Sequence, residues 1–384
     1  MSARAAAAWQ ISHGDWAALT AIRGLAACYV MLSHIWFQVW PAVAPPFGYG
    51  AAPDGVWLRA TGWLYYGHYA VVVFIVLSGF SLAASCRMAL PRAEFRAFVW
   101  RRFMRIGPPY YAALAFSCAV IWLTGDGKTG SQWDISVPVT AAGLVSHVAL
   151  LQDFVESTQI NYAMWSVAAE FHLYLCFPFL LRVCANAPWW SLVVVYGIVY
   201  GAIAWLAPIA GADFPVAYLG LCAHFYAGIW ACRQRMRGSP MRRSRAMTSG
   251  VALLCVLIAV SVALGFDASE RWLAWLDGLC AAGAVLLLWG VTARTGRVPV
   301  PRLRVWQGVG EFSYSLYLTH APVIFILWSF VSAFVSSPPW IWVTLSVIGP
   351  PVCLGLARLF HRCFEAPFVN RQRPARACAA HLNQ

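Results

Sequence analysis

Apolar positions gather into ten long runs separated by shorter polar segments. Each run supplies the about 20 residues that a helix needs to cross a hydrocarbon core of roughly 30 Å. The runs span approximately 19–40, 67–86, 106–124, 163–182, 188–208, 216–232, 247–266, 273–292, 308–330 and 340–359. They predict an all-α polytopic membrane protein of about ten transmembrane helices. The expected organisation is a short cytoplasmic N-terminal segment, 1–18, one transmembrane domain, 19–359, and a basic cytoplasmic tail, 360–384. No internal repeat, Ser/Gly linker or second soluble domain interrupts it, and the longest non-membrane stretch, about 125–162, is too short to be one. No small-residue cleavage site follows a brief apolar core near the N-terminus, so the first helix is expected to be an anchor.

Composition agrees with a lipid solvent. Of the 384 residues 61% are hydrophobic and 11% charged, whereas a soluble chain is about a quarter charged. The formal charge of +13 would suggest nucleic acid in a soluble protein, so the positions of the 26 arginines and single lysine decide its meaning. Arg87, Arg92, Arg96, Arg101, Arg102 and Arg105 lie between the second and third helices, and Arg233, Arg235, Arg237, Arg242, Arg243 and Arg245 between the sixth and seventh. Four more follow the eighth helix, and Arg362, Arg371, Arg373 and Arg376 follow the tenth. The opposite loops hold only Arg59, Lys128 and Arg271. By the positive-inside rule both termini are cytoplasmic, and the charge reports topology rather than nucleic acid. The twelve cysteines lie mostly inside predicted helices without a CxxC pair, which reads as buried thiols rather than disulfides or a metal site.

An ionisable group within a span is costly unless it is paired or faces a wet cavity. Arg23 and His34 lie eleven residues apart on the first helix, so they share a face about 16 Å apart, with His34 near mid-membrane or beyond. His34 is either a reactive imidazole or a packed one bonded to a neighbouring helix. Glu170 lies roughly 10 Å inside the fourth span and either binds or orients a reacting group or ties helices together in its neutral form. His172 points to the other side of that helix and reads as structural. Ser313, Tyr317 and His320 at i, i+4 and i+7 line one face of the ninth helix with hydroxyls and an imidazole, which serve either a cavity or helix packing. Arg102 and Arg105 at i and i+3 present two guanidinium forks suited to phosphate. Topology alone also accounts for them.

In these residues the chain resembles the acyltransferase 3 family of membrane O-acyltransferases, over nearly its whole length. Arg23-Gly24-Leu25-Ala26 through to His34 resembles the family's arginine, ten residues, histidine pattern. Phe74-Ile75-Val76-Leu77-Ser78-Gly79-Phe80 is similar to its second-helix signature, and Arg102-Phe103-Met104-Arg105 before Pro108 to its RxxR and proline. Trp165-Ser166 with Glu170, Phe171 and Tyr174, the run from Ser313 to His320, and Phe364-Glu365-Ala366-Pro367-Phe368 resemble its later signatures. One departure is Thr20, where many members carry an aspartate, unless Asp15 substitutes.

The resemblance implies an enzyme that moves an acyl group, acetyl, succinyl or similar, from cytoplasmic acyl-CoA to a hydroxyl of a sugar or polysaccharide precursor beyond a bacterial inner membrane. It acts with acyl-CoA as co-substrate and without a permanently bound cofactor or metal. His34 would be the general base, and Glu170 an acceptor binder or the group that sets the imidazole tautomer. Arg102 and Arg105, with Arg23 or Arg101, would clamp the CoA phosphates. Ser313, Tyr317 and His320 would line the acceptor side, and Ser78 with Gly79 would allow close packing beside the cavity. The alternative is a transporter or flippase of a lipid-linked sugar, for which paired broken helices in matching halves are expected; no such pairs stand in the sequence.

Overall fold

The computed structural model describes residues 11–43, 51–154, 159–210, 216–238, 243–292 and 303–370. Its α-helices, in order, are α1 His13–Val39, α2 Gly55–Thr61, α3 His68–Ser85, α4 Phe95–Thr124, α5 Ala141–Val148, α6 Trp165–Asn186, α7 Ser191–Ala210, α8 Val216–Met236, α9 Arg243–Leu264, α10 Phe266–Arg271, α11 Leu273–Val291, α12 Arg304–Glu311, α13 Ser313–Ser332, α14 Pro338–Phe360 and α15 Ala366–Asn370. No strand occurs among the described residues. A long helix occupies each of the ten predicted runs, and eight segments among the described residues are long and apolar enough to cross a membrane. Of the other two, α7 is apolar but short in its described part, Ser191–Leu206, and α8 ends in Arg233 and Arg235. The protein is an all-α polytopic membrane protein.

Three boundaries differ from the hydropathy reading, each for a local reason. Helix α1 starts at His13, not 19, because Ser12 and Asp15 cap it reciprocally: Asp15 N donates to Ser12 Oγ and Ser12 N to Asp15 Oδ2, both at 3.2 Å. Asp15 is thus engaged in the cap, and Thr20 turns its hydroxyl to the Trp16 carbonyl at 2.8 Å. Helix α4 starts at Phe95, eleven residues before the apolar run, since the arginine-rich segment is itself helical and continues through Pro108 and Pro109. The segment expected as a tail from 360 stays helical, through a π-helical turn at His361–Glu365 and then α15 to Asn370. Residues 1–10, Arg242, the three arginines beyond 370 and most of the segment after α11 lie outside the described residues.

The chain divides into two compact units. The first comprises Met1–Ala26, Tyr66–Arg92 and His172–Gly310. Its central seam is α3 against α8, and there glycine decides the distance. A Cβ on Gly79 would run into the Phe225 carbonyl, and one on Gly228 would meet Phe80 N at 2.7 Å. Backbone-to-backbone packing of this kind is how small residues drive helix association in lipid. Polar ties inside this unit join Tyr66 OH to Ser261 O at 2.6 Å and His68 Nε2 to Asp277 Oδ1 at 3.0 Å.

The second unit comprises Ala27–Tyr65, Ala93–Phe171 and Glu311–Gln384. Helix α13 packs on both α14 and α4. The C-terminal end of α1 is set in an indole cluster: Trp36 and Trp40 are fully buried, their rings 5.6 Å apart, and Trp40 lies 5.7 Å from Trp342. Trp36 Nε1 donates to Thr61 Oγ1 at 2.8 Å, which satisfies the polar atom of that buried indole.

Candidate active site

His34 stands on α1, five residues before its end and away from the arginine-rich loops. The helix begins earlier than its apolar run but ends where expected, so His34 keeps its place near that end. The ring is half-buried in the second unit among three others. Tyr162 stacks on it at 4.8 Å, His320 lies at 5.1 Å and Phe37 at 6.5 Å. His34 Nδ1 is 3.2 Å from Gln132 Oε1.

Gln132 comes from the stretch between α4 and α6, whose described residues, 125–154 and 159–164, are a built part of the unit. Residues Gln132–Ser136 form a 3-10 turn capped by Ser131 Oγ, which accepts from Trp133 N at 3.3 Å. The buried Asp134 carboxylate accepts from Thr129 N at 2.7 Å, Thr129 Oγ1 at 2.8 Å and Gly130 N at 2.9 Å. Trp133 lies flat on Phe325 of α13, 4.9 Å away and 9° from parallel. Farther along, His147 of α5 is fully buried between the Gly143 and Gln159 carbonyls. Burial holds its pKa below the usual imidazole value despite both backbone contacts.

Asn161 fastens the start of α6 to α4 and α13. Its Nδ2 donates to Ser117 Oγ and to Leu318 O, both at 3.0 Å. Leu318 O is available because the residue four ahead of it is Pro322, which has no N–H to offer. Ser166 Oγ and Tyr317 OH are 2.6 Å apart, a second tie between α6 and α13.

Around His34 the polar accounting is incomplete. His320 donates Nδ1–H to Leu316 O at 3.0 Å, so its Nε2 carries the lone pair, and that atom has no hydrogen-bond partner among the described residues. The same is true of Tyr162 OH, Trp133 Nε1 and both amide atoms of Gln38, one turn beyond His34 on α1. All four residues are at most 4% exposed. Burial pushes the Tyr162 hydroxyl well above its ordinary pKa, so it remains a donor. An unmade buried hydrogen bond costs about 1–3 kcal/mol, and two of these atoms, Tyr162 OH and His320 Nε2, belong to rings 4.8 and 5.1 Å from that of His34.

A family model described as an acyltransferase domain matches residues 16–358. The chain belongs to the acyltransferase 3 family. The domain this model describes is that of a transferase, which favours that reading over the transporter alternative. It is also similar to the acyltransferase MdmB of Streptomyces mycarofaciens, 30% identical over 161 residues, which cover 39% of this chain and 38% of that protein. The matched part is thus less than half the length of that relative. No solved structure matches.

The site residues expected of an acyltransferase 3 member fall into two groups. The second unit holds His34, Glu170, Arg101, Arg102, Arg105, Ser313, Tyr317 and His320, and the first holds Arg23 and Ser78. His34 and His320 are brought together, and Tyr317 adjoins His320 at 5.8 Å. Glu170 is half-buried and within electrostatic range of Tyr317, while the group found on His34 Nδ1 is Gln132. Ser313 begins α13. Arg102 and Arg105 are half-buried near the start of α4, with Arg102 5.7 Å over the Phe98 ring, and Arg101 is exposed. Ser78 Oγ lies 3.3 Å from Tyr174 OH in the α3 seam, and Gly24, next to Arg23, is closely approached by the Trp306 carbonyl. His172 packs beside Tyr218.

Sequence reasoning missed Gln38, Gln132, Trp133 and Tyr162. Gln38 was within reach, since an amide four residues after His34 shares its helix face. Gln132 is 98 residues away in a loop and carries no periodic signal. Asp277, the partner of His68, was missed for a different reason: it is the one charged residue in the otherwise apolar α11, and the run of hydropathy hides it.

Proposed function

We propose that this acyltransferase moves an acyl group, acetyl, succinyl or similar, from cytoplasmic acyl-CoA to a hydroxyl of a sugar or polysaccharide precursor on the periplasmic side of a bacterial inner membrane. The observation that carries the reading is the set of unpartnered buried polar atoms around His34. His320 Nε2 accepts, Tyr162 OH and Trp133 Nε1 donate, and the Gln38 amide does both, which is the complement of a hydroxyl-bearing acceptor and of the oxyanion formed when it attacks a thioester.

In this reading His34 takes the proton of the acceptor hydroxyl as its oxygen bonds to the thioester carbonyl carbon. The tetrahedral intermediate collapses with cleavage of the carbon–sulfur bond, and the imidazolium returns the proton to the CoA thiolate. The products are an ester and free CoA, with no proton gained or lost. Arg102 and Arg105, with Arg101, hold the phosphates of the donor by charge-assisted hydrogen bonds. Glu170, Ser313 and Tyr317 serve the acceptor.

The test is transfer of label from [14C]acetyl-CoA, and separately from labelled succinyl-CoA, to a panel of mono- and oligosaccharides by protein in nanodiscs. Labelled ester is expected with the wild type and a loss of at least about 100-fold in His34→Ala. A correctly inserted His34→Ala protein that acylates at the wild-type rate would overturn the assignment of the base.

A further inference from the structure

We propose that Gln132 is the positioning residue of the His34 base, which makes the turn Gln132–Ser136 part of the catalytic machinery. The inference rests on the reading of His34 as the base. A neutral imidazole has one nitrogen with a proton and one with a lone pair, and only the second can accept the proton of a hydroxyl. Gln132 Oε1 lies 3.2 Å from Nδ1 and, as a carbonyl oxygen, has no hydrogen of its own. It accepts from Nδ1–H and thereby leaves the lone pair on Nε2. When Nε2 takes the acceptor's proton, the same carbonyl dipole meets the positive charge that develops on the ring.

The amide can do this because it is itself held. Gln132 is 6% exposed. The turn it begins is fixed by the Ser131 cap, by three hydrogen bonds to the Asp134 carboxylate and by Trp133 on Phe325. Gln159 N donates to Ile135 O at 2.9 Å, which ties the far end of the loop back to the same turn. An acceptor fixed in this way needs no reorganisation as charge appears, which is the condition for electrostatic help in the transition state. The other ionisable side chains against the ring are His320 and Tyr162. His320 Nδ1–H is already given to Leu316 O and the Tyr162 hydroxyl has no partner among the described residues, so neither competes for His34 Nδ1.

Two measurements test this. Turnover of [14C]acetyl-CoA against pH follows the base in action. Carbethoxylation of His34 by diethyl pyrocarbonate, read by peptide mass spectrometry across pH, follows the ring with no acceptor present. Gln132→Ala is expected to lower kcat about 10- to 100-fold with KM for acetyl-CoA within about twofold. Gln132→Glu keeps an oxygen acceptor, recovers most of kcat, and moves the acid limb of both profiles to higher pH by about one unit, since a carboxylate favours the charged ring. Gln132→Asn, one methylene shorter, does not recover. If Gln132→Ala does not fold, the Glu variant alone carries the test. The inference fails if Gln132→Ala keeps wild-type kcat, if its defect lies in KM alone, or if both Glu profiles superimpose on the wild type. A fully active His34→Ala protein would remove the base assignment instead, and the carbethoxylation profile would still decide whether Gln132 governs the ring.

Discussion

Asn161 Nδ2 donates to Ser117 Oγ and Leu318 O within a fully buried environment, and its role depends on a residue it does not touch. Pro322 removes the N–H that would otherwise close the Leu318 carbonyl, so the amide substitutes for a lost rung of α13. Asn161→Ala is expected to lower stability by about 1–3 kcal/mol, because it strands that carbonyl, and to lower the melting temperature followed by fluorescence-detected size exclusion. Asn161→Ala with Pro322→Ala restores an N–H inside the helix and is expected to regain part of the loss. If the double variant melts no higher than Asn161→Ala, Asn161 does not compensate for Pro322. At the same scale, His34 owes its chemistry to neighbours that the one-dimensional chain keeps far apart. One is Gln132 in a loop, and another is His320, 286 positions on, with a ring only 5.1 Å away.

At the scale of elements, the α3–α8 seam explains why Ser78-Gly79 reads as a signature. The glycine is required by contact with the Phe225 carbonyl, and the serine beside it satisfies itself against Tyr174. Gly79→Ala is expected to cost about 1–3 kcal/mol by overpacking and to reduce the yield of monodisperse protein. Gly220→Ala, on the same helix as Gly228 but with nothing within 4 Å of a new Cβ, should be neutral or stabilise by up to about 1 kcal/mol. Equal melting temperatures for the two variants would show that the seam is less tight than its backbone spacing indicates. The contrast also shows what hydropathy leaves out: both glycines sit in apolar runs, and only the packing partner distinguishes them.

For the molecule as a whole, the arginine excess divides into charge that orients and charge that binds. Arg102 and Arg105 sit half-buried where α4 passes from its basic segment into the apolar run, whereas Arg101 just before them is exposed. If the pair clamps CoA phosphates, Arg102→Gln with Arg105→Gln should weaken CoA binding by roughly 10-fold or more and flatten its dependence on salt, since exposed charges are screened and guanidinium forks bind phosphate directly. Arg101→Gln should change both less. Unchanged affinity and salt slope in the double variant, measured by isothermal titration with CoA, would assign the pair to topology alone.

The sequence by itself determined the solvent, the ten helical runs and the family. Long apolar stretches allow no other solution in lipid, where every backbone group must bond within its own helix, and the order of six short motifs is a property of the chain alone. It also pointed to His34 and His320, because an imidazole inside a span is conspicuous. What hydropathy could not show was where helices start when a cap or a basic segment extends them, as at His13 and Phe95. Nor could it show which polar groups meet. The partner of His34 Nδ1, the filling of the Leu318 carbonyl and the pairing of His68 with Asp277 are contacts between distant segments. Tertiary structure alone decides them, because a hydrogen bond depends on the position of two atoms in space and leaves no period in the sequence of either.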